Sequence, residues 1–303
     1  MSAFKNFAVA GAGNLGHFII TELLQLKKNG AISTVKVLTR TGGSKYPELV
    51  ELGATFVEVQ YEDPASLKKA LAGTEVVIST IGGTGLATQA QLANASKDAG
   101  VQLFVPSEFG NPTDGKTDHA IFSTKDSTKK HLRELGLPFA AFYTGPFPDF
   151  VLKPQNGKAA FGGSGDVPIS WTSMPDIARF VSHVLTTLPK KELEWRIFRI
   201  EGDRQSFNNI IASYEQRTGT KLEVTKRSRA ELEATLKENP SDFVTFLLWE
   251  WDLGGGITGK PEELSNNLWP EWNPKSVVDV AIEGIPIAVT LVFRGDDSEP
   301  KQQ

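Results

Sequence analysis

Short apolar segments alternate with amphipathic segments through the first half of the chain. The apolar segments carry few charged residues, which is typical of strands buried on both faces of a parallel sheet. They predict strands at 7–10, 34–40, 54–59, 75–80, 101–105 and 137–145. The intervening segments place apolar residues at helical spacing and predict helices at 15–26, 63–71, 86–99 and 120–135. This alternation indicates an α/β fold with a doubly wound parallel sheet.

The alternation weakens after residue 150. Short strands are expected at 169–172, 195–200 and 222–225, and helices at 175–188, 207–219 and 228–237. Neither a repeat nor a long linker separates the two halves. We therefore expect residues 1–150 to form a nucleotide-binding domain and residues 151–303 to form mainly a smaller, integrated α/β substrate lobe. The strand at 195–200 is a candidate to rejoin the main sheet, and the polar residues 295–303 are expected to be a disordered tail.

The turn between the first strand and the first helix contains three glycines, Gly11, Gly13 and Gly16, in G-x-G-x-x-G spacing. The first permits a tight turn, the second lets a pyrophosphate approach the backbone, and the third lets the helix pack closely on the strand. The free N–H groups and the dipole at the helix start favour an anion there. Together with Asn14 and Leu15, these glycines are predicted to bind a dinucleotide pyrophosphate in a Rossmann-type fold.

The end of the second strand distinguishes the two nicotinamide cofactors. NAD sites usually place an acidic residue there to bind the ribose 2′-hydroxyl. This chain instead has Arg40, followed by Lys45. Arginine binds a 2′-phosphate through forked, charge-assisted hydrogen bonds, and Lys45 adds a second cation. The sequence therefore predicts NADP(H) as the cofactor.

The later strands supply further candidates, because the carboxyl ends of parallel strands share the edge at which a cofactor binds. The loops after the fourth and fifth strands are expected to line the path from adenosine to nicotinamide. The residues concerned are Thr80, Ile81, Gly82, Pro106, Ser107 and Glu108.

Proline, glycine and aromatic residues after the sixth strand indicate a loop shaped around a ligand. Phe147, Phe150 and Trp171 are the candidates for an apolar substrate-pocket wall. Each is equally compatible with a place in the hydrophobic core. A small, aromatic substrate would suit such a wall.

Composition excludes several other classes of function. The formal net charge is −4 and dense Lys/Arg runs are absent, which argues against nucleic-acid binding. The lack of cysteine excludes disulfides, zinc-thiolate sites and thiol catalysis. The four histidines are widely separated, so no metal site is predicted. Apolar runs are too short for a membrane span, and a cytoplasmic location is expected.

The tyrosine–lysine pair that serves many dehydrogenases of this fold, Tyr-x-x-x-Lys, is absent. The residues four positions after the tyrosines are Val50, Ala65, Phe147 and Thr218. Lys125, on the helix after the fifth strand, is the remaining catalytic candidate. A lysine partly buried beside a cofactor has a lowered pKa and exchanges a proton near neutrality. Taken alone, however, a lysine on a helix is nearly always a solvated surface residue.

Several ordered motifs resemble those of NmrA-like proteins, specifically the isoflavone reductase-like branch. This branch includes phenylcoumaran benzylic ether, pinoresinol-lariciresinol, isoflavone and leucoanthocyanidin reductases. It also includes many fungal proteins, among which we expect this chain to fall. The resemblance covers about residues 5–180, and its most specific part is Pro-Ser-Glu-Phe-Gly followed by Phe-x-x-Lys. The matching segments are 77–80, 89–92, 95–100, 104–110, 122–125 and 137–140.

The resemblance implies an atypical short-chain dehydrogenase that uses NADPH and lacks the tyrosine. The lysine of Phe-x-x-Lys is the proposed acid/base in this branch, and it corresponds to Lys125. A histidine precedes that lysine in several members, and His119 is the candidate match in a shorter segment. Two features depart from the branch. The glycine turn is one residue shorter than G-x-x-G-x-x-G, and the paired arginines after the lysine are Lys129 and Lys130 here.

These observations predict an NADPH-dependent reductase, monomeric or homodimeric, that acts on a small aromatic or conjugated molecule. Lys125 would supply the proton or hold the nicotinamide ribose. The alternative is an NmrA-like regulator that senses NADP(H) and binds a protein partner without catalysis. Lys125 favours the enzyme, because such regulators are expected to lack this lysine. An ordinary carbonyl reductase is disfavoured by the missing tyrosine.

Overall fold

The computed structural model describes residues 4–151 and 158–283, without the side chains of Phe150 and Val151. Five strands form the central sheet in the order β3-β2-β1-β4-β5, and all their pairings are parallel. The strands, numbered in chain order, are β1 (Asn6–Ala10), β2 (Thr34–Thr39), β3 (Thr55–Glu58), β4 (Val76–Ser79), β5 (Leu103–Val105), β6 (Ala140–Tyr143), β7 (Lys158–Gly162), β8 (Ile169–Trp171), β9 (Arg196–Arg199), β10 (Asp203–Gln205) and β11 (Glu223–Arg227).

The central sheet continues beyond β5. A parallel bridge between Phe104 and Phe139 places β6 beside β5. β9, from the C-terminal half of the chain, pairs in parallel with β6. The ring of Phe198 on β9 stacks on that of Phe142 on β6, with 4.9 Å between the ring centroids. The two halves of the chain therefore share one sheet.

Helices cover both faces of this sheet and also build the C-terminal lobe. They are α1 (Asn14–Lys28), α2 (Pro47–Glu51), α3 (Pro64–Leu71), α4 (Gln89–Asp98), α5 (Ala120–Glu134), α6 (Pro148–Val151), α7 (Met174–Thr187), α8 (Lys190–Leu193), α9 (Phe207–Thr218), α10 (Arg229–Glu238), α11 (Phe243–Asp252) and α12 (Val277–Glu283). None of the described helices is long and apolar enough to cross a membrane.

Each face of the sheet has its own core, because successive side chains of a strand point to opposite faces. Phe7 and Val9 of β1 pack with α1 and α7 on one face. Ala8 and Ala10 pack with α3, α4 and α5 on the other. The central strands are thus buried on both sides, which explains why their sequences contain so few charged residues.

The C-terminal lobe has a third core around Trp171, Phe207 and Trp251. Two small sheets flank it, β7 with β11 in parallel and β8 with β10 antiparallel. The amide Nδ2 of Asn111, in the loop between β5 and α5, donates to the Gly255 carbonyl. Its Oδ1 accepts from the Trp251 indole at 3.3 Å. The loop that leads into α5 is therefore joined to the lobe.

The fold class predicted from the sequence is confirmed. The predicted helix at 86–99 differs in its first turn, which is a 3₁₀ turn at Gly83–Thr88 before α4 begins. Gly83 has a φ of 57°, outside the right-handed helical region, which delays the α-helix. α11 was not predicted, since its apolar residues are nearly continuous and show no helical period. The predicted disordered tail at 295–303 lies outside the described residues.

Candidate active site

The glycine turn after β1 is packed without spare room. Gly11 has a φ of 101° and donates its N–H to the Leu38 carbonyl at 3.0 Å. A Cβ on Gly16 would lie 2.4 Å from the Gly11 carbonyl oxygen and 2.6 Å from Thr80 Oγ1. The Thr80 hydroxyl donates to the Gly11 carbonyl at 2.9 Å. Thr80, predicted to line the cofactor path, thus also fastens the turn to the end of β4.

The start of α1 offers its backbone N–H groups to a ligand. Gly13 is the N-cap residue and supplies no side-chain cap, and the first turn of α1 has no acidic residue. A Cβ on Gly13 would meet no heavy atom within 4 Å. Asn14 is half-buried and Leu15 is buried beneath the turn. Open space, unpaired donors and the positive helix end together suit a phosphate group.

Two cations lie near the same edge of the sheet. Arg40 directly follows β2, whose residue Leu38 is in register with Ala10 at the end of β1. Arg40 is exposed and makes no ion pair with any described residue, and Lys45 is also exposed. Burial raises the pKa of the neighbouring Tyr61 to about 12, and the positive charge of Arg40 opposes that rise. Arg40 is therefore free to bind an anion beside the glycine turn.

The loops after β4 and β5 also end at this edge. Ile81 is half-buried, and a Cβ on Gly82 would meet no atom within 4 Å. Pro106 and Ser107 are buried, and the Ser107 N–H donates to Gln89 Oε1 at 2.8 Å. The first residue of α4 thus holds the loop after β5, an anchor that the sequence pattern did not indicate.

Glu108 was predicted to border the nicotinamide, but its side chain has other partners. The residue is only 1% exposed. Its Oε1 forms an ion pair with Lys129, whose side chain is fully buried, and its Oε2 accepts from the Thr113 hydroxyl at 2.8 Å. The carboxylate is therefore committed to the protein interior. Sequence reasoning noted Lys129 only as a replacement for arginine and missed this pair.

Lys125 lies one helical turn before Lys129 on α5. Its ammonium donates to the backbone carbonyl of Glu108, so it sits at the carboxyl end of β5. Gly110, which bridges to Tyr143 of β6, is the nearest glycine: a Cβ there would lie 4.0 Å from the Lys125 nitrogen. Burial lowers the pKa of Lys125, the Glu108 charge raises it and the Lys129 charge lowers it. The lysine predicted from the sequence thus has the environment of an acid/base group.

His119, the candidate match to the histidine of the branch, lies at the start of α5. It is the N-cap of α5, and its Nδ1 accepts from the Ile121 N–H at 3.1 Å. The ring is buried against Phe243 and Phe246 of α11, with centroid distances of 5.1 and 4.7 Å. Burial lowers its pKa, which keeps Nδ1 free to accept the bond. The structure assigns His119 to holding the start of the helix that carries Lys125.

The structure describes the side chains of two of the three candidate pocket aromatics, and these two differ in burial. Trp171 is 1% exposed in the lobe core, and its indole donates to the Gln205 carbonyl at 3.0 Å. This buried ring has no face left for a ligand, so Trp171 belongs to the core and not to a pocket wall. Phe147 is half-buried directly before α6 and remains a candidate for the pocket wall. The side chain of Phe150 lies outside the described residues.

Comparisons with known proteins agree with this architecture. The family model of the NmrA-like family matches residues 5–245. A phenylcoumaran benzylic ether reductase of Ginkgo biloba is 27% identical over 226 residues, which cover 67% of this chain and 73% of the relative. The leucoanthocyanidin reductase–NADPH complex from Vitis vinifera superimposes with a TM-score of 0.79 at 21% identity, covering 91% of this chain and 98% of that one. A structure solved with NADP⁺ and (+)-pinoresinol has a TM-score of 0.78 at 20% identity, covering 94% and 100%.

The packing of the glycine turn predicts a contrast between two alanine substitutions. Gly16→Ala should lower the free energy of unfolding by about 1–3 kcal/mol, because its methyl group overlaps the Gly11 carbonyl. Gly13→Ala should leave stability nearly unchanged, because Gly13 has a φ of −72° and open space around its Cβ position. Urea denaturation of both variants measures the difference. Equal stabilities would contradict the close packing of α1 on the turn.

The capping role of His119 predicts a pH dependence. Because the folded-state pKa lies below the ordinary value of 6.5, the wild type should lose stability as the pH falls through 6.5. His119→Asn keeps a capping side chain that does not titrate in this range. The wild type should therefore lose stability relative to this variant as the pH falls, since every other titrating group is common to both. Unfolding curves of both proteins across this pH range measure the difference in stability. Parallel pH profiles would refute the capping role of His119.

Proposed function

Because the chain belongs to the NmrA-like family, we propose that it is an NADPH-dependent reductase of the isoflavone reductase-like type. The observation that carries the proposal is the position of Lys125. Its nitrogen is held by the Glu108 carbonyl at the edge of the sheet where the glycine turn and Arg40 also lie. An anion-binding turn, a free cation and a desolvated amine at one sheet edge suit a dinucleotide cofactor and proton transfer.

The residues at this edge fit NADP(H). The backbone N–H groups of Asn14 and Leu15 and the space beside Gly13 would receive the pyrophosphate. Arg40 would bind the 2′-phosphate, with Lys45 as a second cation. Ile81 and Gly82 would border the path between the two nucleotides. When bound, the cofactor supplies a hydride from the nicotinamide ring.

Lys125 would handle the proton that accompanies the hydride. Its lowered pKa makes the amine a better proton donor than an ordinary lysine. The bond to the Glu108 carbonyl uses one of the three ammonium hydrogens, so two remain for substrate or water. The hydrogen bond to the Glu108 carbonyl would keep the amine on one side of the cleft and so orient the proton transfer.

The substrate we propose is a small aromatic or conjugated molecule. Phe147, which is half-buried beyond the end of β6 and packs in part against the core on one face of the sheet, is the candidate for an aromatic pocket wall. The named relatives support this class, since their printed names and complexes include benzylic ethers and pinoresinol. Oxygen-bearing aromatic compounds are therefore the first substrates to test.

Cofactor choice is the first test. The wild type should bind NADPH more tightly than NADH in calorimetric titration. Arg40→Ala should weaken NADPH binding by about 1.5–3 kcal/mol, because a charged hydrogen bond is lost, and should leave NADH binding nearly unchanged. Arg217→Ala, which removes an exposed arginine paired with Asp279 on the C-terminal lobe, is the matched control. Equal affinity of the wild type for the two cofactors would contradict the role of Arg40.

Turnover is the second test. NADPH oxidation is followed with a panel of lignan-like, quinone and enone compounds. Lys125→Ala should lower kcat about 100-fold to 10,000-fold, the usual loss of a general acid/base, while the protein stays folded. Lys130→Ala, on the same helix but exposed, should retain activity. Full activity without Lys125 would remove it from the mechanism, and silence of the wild type across the panel would favour the regulator.

A further inference from the structure

Two lysines on α5 contact the same residue from neighbouring helical turns. Lys125 donates to the backbone carbonyl of Glu108, and Lys129 forms an ion pair with the carboxylate of Glu108. The Lys129 nitrogen also contacts the Thr113 hydroxyl at 2.6 Å. The spacing of four residues places both amines on one face of the helix. Glu108 is therefore held at its main chain and at its side chain by one helix.

The backbone at Glu108 is itself constrained. The Glu108 N–H donates to the Pro106 carbonyl at 2.8 Å, which makes a tight turn. The next residue, Phe109, has a φ of 27°, which is rare for a residue with a side chain. Such conformations persist only where surrounding contacts hold them. The ion pair is one of the two contacts through which α5 holds this turn.

The ion pair is also costly to bury. Two charges removed from water seldom stabilise a fold more than apolar residues of the same size would. Lys129 is fully buried and Glu108 nearly so, and they join a strand end to a helix. Fold stability alone therefore does not account for the pair, whereas the orientation of the Glu108 carbonyl beside Lys125 does.

We propose that Glu108 and Lys129 are positioning residues whose buried ion pair fixes the Glu108 carbonyl and thereby holds the Lys125 amine at the cleft. The inference rests on the proposed function, because it assumes that Lys125 transfers the proton in the reduction. Neither residue needs to touch the substrate. Lys129 acts on the reaction through Glu108 and through the effect of its charge on Lys125.

Several charged and titratable groups surround Lys125 and Lys129. The Glu108 and Lys129 charges act in opposite directions on the pKa of Lys125. Asp114 lies 3.4 Å from the Lys129 nitrogen. The Tyr143 ring, whose hydroxyl has a raised pKa and stays neutral, contacts both Lys129 and the Arg199 guanidinium. Removing one member of the pair should therefore change the titration of Lys125.

The neighbouring charges on the same side of α5 are paired elsewhere. Asp126 lies 2.7 Å from Lys130, which is exposed. Lys116 forms an ion pair with Glu250 of α11. These pairs remain intact in variants of Glu108 and Lys129. Lys130 is thus a matched control, since it is adjacent in sequence, carries the same charge and has its own carboxylate partner.

The test measures Lys125 directly in the full-length protein. Reductive methylation with formaldehyde is carried out over a pH range, and the rate at Lys125 is read by peptide mass spectrometry. Lys129→Met should move the titration midpoint of Lys125 to higher pH, because the Glu108 charge is no longer balanced. Glu108→Gln should move it to lower pH. Lys130→Met should leave it at the wild-type value. Wild-type midpoints in both Glu108→Gln and Lys129→Met would overturn the proposal.

Turnover separates positioning from a purely structural role. The variant with both Glu108→Gln and Lys129→Met removes both buried charges and deprives only the exposed Asp114 of its lysine. It should therefore fold even if a single variant does not. Its kcat should fall about tenfold to a hundredfold through misplacement of the amine, while KM for NADPH stays the same. Lys129→Arg keeps the positive charge and should retain most of the wild-type kcat. A double variant with wild-type kcat would overturn the proposal, whereas an inactive wild type would refute the reductase and leave the methylation result valid.

Discussion

The close approach of α1 to the glycine turn is the constraint on which this site depends. Gly16 lies so near the Gly11 carbonyl and the Thr80 hydroxyl that a side chain does not fit between them. The contact fixes the start of α1 against the ends of β1 and β4. Because the central strands are parallel, the same edge also receives Arg40 from β2 and Glu108 from the loop after β5. The contact of Gly16 with Gly11 and Thr80 therefore fixes the position of the anion-binding turn relative to the other candidate residues.

Electrostatics then distinguishes Lys125 from the other lysines of the chain. Most of the lysines in the described residues are exposed or paired at the surface, whereas Lys125 is half-buried and bonded to a main-chain carbonyl. Its pKa is lowered chiefly by burial. The Glu108–Lys129 pair places one charge of each sign nearby, so that their effects on Lys125 oppose each other. The pKa of the amine is therefore lowered without an unpaired charge beside it.

Local patterns in the sequence predicted the parts of the fold that local rules govern. The apolar strands, the amphipathic helices and the glycine turn were predicted because their spacing reports burial directly. The pair of Glu108 with Lys129 spans 21 residues and leaves no periodic signal. His119 could have been suspected as a cap from its place just before a helix, but histidine is not among the preferred capping residues. The place of Trp171 was left open, because an aromatic residue near a loop fits a core and a pocket equally well.

A crystal structure of the protein with NADP⁺ would show whether the glycine turn, Arg40 and Lys125 form one cofactor site. We expect the pyrophosphate at the backbone of Gly13 to Gly16, the 2′-phosphate against Arg40, and the nicotinamide ring beside the Lys125 amine. In that complex Lys125 should still contact the Glu108 carbonyl. A nicotinamide ring bound out of reach of Lys125, or a 2′-phosphate bound away from Arg40, would contradict the account.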